Sequence, residues 1–295
     1  MNEPRRVEHQ QTDKGYVPVY TTAVVEQPWD DYKAEDHATW GALYQRQREL
    51  LVGRASDEFL AAQDEMGMTP HAIPRFAQLN EVLGAATGWT LIGVEGLLPE
   101  LDFFDHLANR RFPVTWWIRR PDQIDYIAEP DLFHDLFGHV PLLMNPLFAD
   151  YMQAYGRGGV KAHGVGPEAL VNLTRLYWYT VEFGLINTPA GLRIYGSGIV
   201  SSKGESLYSL ESDAPNRIGF DLERVMRTRY RIDTYQKTYF VIDSFAQLID
   251  ATGPDFTPLY ARLATQDAIA AGQVLDSDYV FTRGTGEGWS NEGDV

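Results

Sequence analysis

His134 and His139 lie five residues apart in the stretch Pro130-Asp131-Leu132-Phe133-His134-Asp135-Leu136-Phe137-Gly138-His139-Val140-Pro141, and Glu182 follows inside the aromatic run Tyr177-Trp178-Tyr179-Thr180-Val181-Glu182-Phe183. Two imidazoles and one carboxylate can cap one face of a divalent ion and leave about three coordination positions open, which suits ferrous iron that must hold oxygen beside a substrate. The chain contains no cysteine, so disulfides, thiolate zinc sites and iron–sulfur clusters are excluded. Any metal here must rest on His and carboxylate.

On an α-helix, five residues turn the second imidazole about 140° away from the first. Gly138 before His139 and Pro141 after it are marks of a helix ending there, so the expectation is His134 on the helix and His139 in its exit turn. Glu182 is the only formally charged residue between Leu176 and Ile186. A carboxylate buried in such company requires a compensating cation or metal. On composition and spacing alone, a metal site and a set of structural histidines with an arginine-paired glutamate stand level. His9, His37, His71, His106 and His163 read as surface or packing residues.

The elements that must position these groups are mainly helical. Trp40, Leu43, Tyr44, Leu50 and Leu51 recur at helical spacing, a second helix carries Phe59, Leu60 and Met66, and a third runs from about residue 73 to 86 before Gly88. A short strand near 89–94 leads into the loop Gly96-Leu97-Leu98-Pro99-Glu100 and a helix over 101–108. Residues 112–119 are extended and apolar up to Arg119. Further helices are expected at about 130–138, 145–156, 167–186, 218–228, 240–251 and 256–265, with strands at 192–195 and 232–234. No internal repeat or linker interrupts 31–265. One mainly α domain with a few short β-strands is therefore expected there, preceded by an extended or mobile arm over 1–30. Residues 266–295 hold six acids against one Arg, with no apolar heptad, and read as a loosely held acidic tail.

With 295 residues, 44% of them apolar, the chain can bury a sizeable core. Its formal net charge of −16 argues against nucleic acid and anionic membrane surfaces as partners. The first residues are polar and no apolar run reaches the ~18 residues of a membrane span, so the expected address is the cytoplasm.

Three blocks resemble the pterin-dependent aromatic amino acid hydroxylases, most closely their short bacterial phenylalanine-specific members: Glu129 to Leu142, Tyr177 to Leu185, and Tyr195-Gly196-Ser197-Gly198-Ile199-Val200-Ser201-Ser202. The resemblance spans about 32–251. It implies that family's catalytic-domain fold with iron in a cleft between helices, and it makes His134, His139 and Glu182 the ligands of Fe(2+). It assigns Arg119 to the substrate carboxylate, a role that suits the planar fork of a guanidinium, and leaves Arg120 a surface salt bridge. Trp178 is placed by the substrate ring. Ser201 is placed near the substrate and, with Ser202, behind an iron-bound imidazole. A tetrahydropterin co-substrate is expected against Val94, Gly96, Leu97, Leu98 and Phe103, with Asp135 and Tyr177 near.

What the resemblance implies is hydroxylation of L-phenylalanine to L-tyrosine with O2. Ile232, apolar and on a substrate-side loop, offers a substrate hydroxyl no partner. The regulatory and tetramerisation segments of the animal members have no counterpart, so a monomer is expected. Tryptophan or tyrosine hydroxylation is the alternative within the family. A zinc hydrolase is disfavoured because Asp135 follows His134 and the second His comes one position too late for His-Glu-x-x-His. A non-catalytic helical protein with a structural metal is the remaining class.

Overall fold

A computed structural model describes residues 20–290 and 294, except 128, together with the backbone of 11–12 and 15–16. Of the arm expected over 1–30, the part before residue 20 lies almost wholly outside these residues. From residue 20 the chain is tied down, with Thr21 N donating to Leu97 O at 2.9 Å and Trp29 Nε1 to Ile73 O at 2.9 Å.

The helices are α1 (Ala34–Leu51), α2 (Asp57–Glu65), α3 (Phe76–Ala86), α4 (Glu100–Ala108), α5 (Pro146–Val165), α6 (Pro167–Tyr177), α7 (Ser197–Val200), α8 (Lys203–Glu211), α9 (Leu222–Arg227), α10 (Phe245–Thr252) and α11 (Thr257–Leu263). The strands are few and short, as expected. Strands β1 (Gln11–Thr12) and β2 (Gly15–Tyr16) form a hairpin. Strands β3 (Val24–Val25), β4 (Thr90–Val94) and β5 (Arg111–Thr115) form a small sheet in which β4 and β5 run parallel, joined through α4. A five-stranded sheet has the order β10-β8-β9-β6-β7, from β6 (Leu185–Thr188), β7 (Gly191–Ile194), β8 (Asn216–Gly219), β9 (Thr238–Ile242) and β10 (Val280–Thr282).

Long helices surround one core whose centre is aromatic. Phe133 and Phe137, four residues apart on the helix that carries His134, stack at 4.8 Å, and Trp40, Tyr44 and Phe59 close around them edge-on. Each such ring removes a large apolar area from water and locks its neighbours' rotamers. The face of this helix opposite the histidines is thus anchored.

Several elements differ from expectation. The helix expected from 240 begins only at Phe245, capped by Ser244, whose side chain accepts from Gln247 N. The residues before it form β9, buried at every position, and a short apolar run of this kind reads the same in a buried strand and a buried helix. Residues 216–219 likewise form β8 ahead of a shorter α9, and residues 232–234 form a loop, not a strand. The segment expected as a loose acidic tail contributes β10 to the sheet edge beside β8. Two of its acids act as counterions: Asp278 pairs with Arg224 at 2.9 Å, both side chains buried, and Asp294 with Lys237 at 2.9 Å.

Candidate metal centre

His134 to His139 form a π-turn, not the end of an α-helix. In a π-turn the backbone bonds run from i to i+5, so residues five apart come onto one face. The spacing that would separate the imidazoles on an α-helix is the spacing that unites them here. The chain then continues into the 3-10 turn Pro141–Met144, so Gly138 is not a helix stop. A Cβ at Gly138 would sit 2.9 Å from Ser197 O, so its glycine admits α7 close against the histidine turn. Glu182 ends a second π-turn, Trp178–Glu182, that prolongs α6.

The two Nε2 atoms stand 3.1 Å apart with their rings nearly perpendicular, Glu182 Oε1 is 3.1 Å from His139 Nε2, and Glu182 Oε2 is 3.7 Å from His134 Nε2. Donors bound to one ion at about 2.1 Å are separated by roughly 3–3.5 Å in tetrahedral or octahedral arrangements, so the two Nε2 atoms with one oxygen of Glu182 fit a single small divalent metal. They are the one such cluster found among the described residues.

Neighbours set the protonation this needs. Ser201 Oγ donates to Ser197 O at 2.7 Å, so at 2.9 Å from His134 Nδ1 it must accept, which puts the imidazole proton on Nδ1 and frees Nε2. Burial, outweighing the nearby Glu182, lowers the His134 pKa to about 4 and keeps the ring neutral. Burial opposes the charge on Glu182, yet the two imidazoles and the Ser197 hydroxyl, 2.9 Å from Oε2, hold its pKa down at about 2.

Two cavities meet at this cluster, sharing Pro130, His134 and Glu182. The larger, about 740 Å³, is lined by Arg119, Trp178, Ser201 and Ser202 together with Ile232, Gln236 and Glu205. Arg119 is held bidentately by the fully buried Asp131, Nε to Oδ2 at 2.9 Å and Nη2 to Oδ1 at 2.8 Å, while Asp131 also accepts from His134 N at 3.1 Å. Among the described residues nothing bonds Nη1. Arg120 pairs at the surface with Asp122. Trp178 stacks on Tyr230 at 4.3 Å and donates through Nε1 to Gln236 Oε1 at 3.0 Å. Ser202 caps α8 rather than touching a histidine, its side chain accepting from Glu205 N.

The smaller cavity, about 280 Å³, is lined by Val94, Gly96, Leu97, Leu98, Phe103, Asp135 and Tyr177. Phe103 and Tyr177 meet edge-to-face at 5.8 Å. Asp135 Oδ2 accepts from Thr115 N at 2.7 Å, and burial lifts its pKa to about 7 against the pull of His139. Every site residue expected from the sequence therefore lies on the triad or on one of two adjoining walls. Asp131, Ser197, Glu205, Gln236 and Tyr230 were not among them, although Asp131 belongs to the same conspicuous histidine block.

Glu205 is buried beneath the larger cavity, accepting from Gln236 N at 3.3 Å and from the Tyr239 hydroxyl. Burial raises its pKa from 4.5 to about 7 against those two hydrogen bonds. A raised folded pKa means that the stability gained by burying the neutral acid is complete below about pH 4.5 and is lost as pH rises through 7. Glu205→Gln, which keeps an acceptor but cannot ionise, is expected to flatten this dependence. In urea melts at pH 5 and pH 8, wild type should lose on the order of 3 kcal/mol more than the variant; equal losses would refute the assignment.

The model of the biopterin-dependent aromatic amino acid hydroxylase family matches residues 18–253. Phenylalanine-4-hydroxylase of Ralstonia nicotianae is 65% identical over 271 residues, covering 92% of this chain and 86% of the relative, and that of Chromobacterium violaceum is 63% identical over 269 residues, covering 91% and 90%. A crystal structure of the C. violaceum enzyme with bound oxidised Fe(III) superposes with a TM-score of 0.85 at 64% identity, covering 87% of this chain and 93% of that one, and a cobalt-bound structure does so at 0.86. Spanning most of both partners at such identity, these likenesses leave one conclusion: the chain belongs to the biopterin-dependent aromatic amino acid hydroxylases.

Proposed function

We propose that this protein is an iron- and tetrahydropterin-dependent monooxygenase that converts L-phenylalanine to L-tyrosine, with His134, His139 and Glu182 holding Fe(2+). The observation that carries the reading is the meeting of two differently furnished cavities at one three-donor cluster, together with the relatives' specificity. When bound, the iron would supply oxygen activation: with two electrons from the pterin O2 would be cleaved, one oxygen atom entering the aromatic ring and the other leaving on the oxidised pterin.

The protein's part is placement and protection. Arg119, made rigid by Asp131, offers Nη1 to the amino-acid carboxylate, and a charge-assisted contact at that end fixes how far the ring reaches toward the triad. Trp178, backed by Tyr230, supplies a flat wall for that ring. In the smaller cavity, Phe103 and Tyr177 give the pterin an aromatic flank, the 96–98 backbone faces its edge, and Asp135 supplies a polar group that can exchange a proton near neutrality. Ser201 keeps the His134 lone pair aimed at the metal. Aromatic side chains on both sides exclude bulk water.

We infer a cytoplasmic monomer acting on small molecules. This is supported by a cysteine-free composition, by the lack of an apolar heptad in 266–295, and by the finding that no helix among the described residues is long and apolar enough to cross a membrane. The test of the function is tyrosine formation from phenylalanine by the purified protein with ferrous iron, a tetrahydropterin and air, beside a His134→Ala control. Tyrosine that requires every component and vanishes in the control is expected. Faster turnover of tryptophan, or hydrolytic activity with zinc in place of oxygen consumption, would overturn the proposal.

A further inference from the structure

The loop 231–236 borders the larger cavity through Ile232, Asp233, Tyr235 and Gln236, yet it has no regular structure to hold it. Inside it Arg231 pairs with Asp233, Nε to Oδ1 at 3.0 Å and Nη2 to Oδ2 at 3.1 Å, and a second side chain joins its two ends. Gln236 Oε1 accepts from Arg231 N at 3.3 Å and Gln236 Nε2 donates to Arg231 O at 2.7 Å, so the amide closes the loop on itself. The same Oε1 receives Trp178 Nε1. The wall of the cavity and the closure of the loop therefore share a single carboxamide.

Gln236 is held from the far side. Lys237 is 5% exposed and its Nζ bonds Asp294 Oδ1 at 2.9 Å, while Arg231, 4% exposed, approaches the same oxygen at 3.9 Å. Asp294 Oδ2 also accepts from Ala271 N at 3.4 Å, and Ala271 O takes the Thr238 hydroxyl at the start of β9. One carboxylate, brought back from the chain's last residues, thus reaches cations at both ends of the loop. A buried ammonium that loses its counter-charge must move toward water or lose its proton, and Lys237 cannot move without carrying Gln236 along.

We propose that Asp294 is a positioning residue for the amino-acid substrate: by clamping Lys237, and Arg231 beside it, it fixes the loop whose Gln236 orients Trp178. The inference rests on reading the larger cavity as the amino-acid site. It predicts an effect on one substrate only, because among the described residues Asp294, Lys237 and Arg231 belong neither to the lining of the smaller cavity nor to the triad.

The test compares full-length Asp294→Asn, Asp294→Glu and Lys237→Met/Asp294→Asn with wild type by amide hydrogen exchange and by kinetics. In Asp294→Asn, exchange over 231–237 should quicken about tenfold while 134–139 stays protected. The KM for phenylalanine should rise about fivefold, with kcat and the KM for tetrahydropterin unchanged. Asp294→Glu should restore both. Unchanged exchange, a parallel rise in both KM values, or no rescue by Glu would overturn the clamp. If Asp294→Asn fails to fold, the double variant decides, since it leaves no lone buried charge: faster loop exchange supports the clamp and wild-type protection refutes it. Should wild type not act on phenylalanine, the cavity assignment fails, and hydrogen exchange still judges the clamp.

Discussion

Replacing Glu182 by Gln is expected to lower metal affinity by at least about a hundredfold and to abolish detectable tyrosine formation, with the fold intact. Loss of a group that only orients a ligand costs 10–100-fold, and here the ligand itself loses its charge. Gln keeps the size of Glu182 and can still accept from Ser197, so α7 and the π-turns have no reason to shift. Missing is the anion that offsets the metal's charge beside the two imidazole ligands. Anaerobic titration with Co(II), followed by its visible absorption, separates the two effects: weakened binding with an unchanged unfolding midpoint is expected, and wild-type binding would remove Glu182 from the ligand set. Without metal the variant should also lose a pH dependence. The depressed carboxyl pKa of wild type contributes stability above about pH 4.5 that is lost as pH falls toward 2.

Asp131→Asn should produce the largest loss of stability. Asp131 is fully buried and accepts from Arg119 Nε, Nη2 and backbone N and from His134 N. Breaking a buried ion pair from one side leaves an uncompensated charge and costs about 3–5 kcal/mol, which for a domain of this size lowers the melting temperature by roughly 5–15 °C. Because the same carboxylate links Arg119 to the first turn of the histidine helix, the surviving folded protein should also bind phenylalanine weakly. Calorimetric melting and a phenylalanine saturation curve check both parts. A melting temperature within a degree of wild type would show that Arg119 does not depend on this partner.

Residue types and spacing alone left His134, His139 and Glu182 level between a metal site and structural roles; the resemblance of the three blocks turned the reading toward metal, and the structure brings the three side chains together. The geometry of the triad was not legible. A five-residue interval is awkward on an α-helix, and Gly138 and Pro141 offered a plausible exit turn, whereas the structure resolves the interval with π-turns whose hydrogen bonds leave no mark in composition. The carboxylate role of Arg119 came from the resemblance alone, and its pairing with Asp131 follows from burial, which a sequence shows only indirectly. Residues 238–242 illustrate the limit of periodicity, since a strand buried on both faces has no alternation to detect. The C-terminal acids were misjudged for a related reason: Asp278 and Asp294 look solvated beside Gly and Ser, and only tertiary folding brings Arg224 and Lys237 to them.

Among the described residues the two cavities share only Pro130, His134 and Glu182, and that junction shapes how the protein can be blocked. On the proposed assignment of the cavities, a compound seated against Arg119 and Trp178 would compete with the amino acid, and one seated against Phe103 with the pterin. Inhibitors therefore sort into two independent families that can be occupied together. A single molecule reaching both would have to thread past His134 and Glu182, so a linker carrying its own metal-binding group is the natural bridge between them.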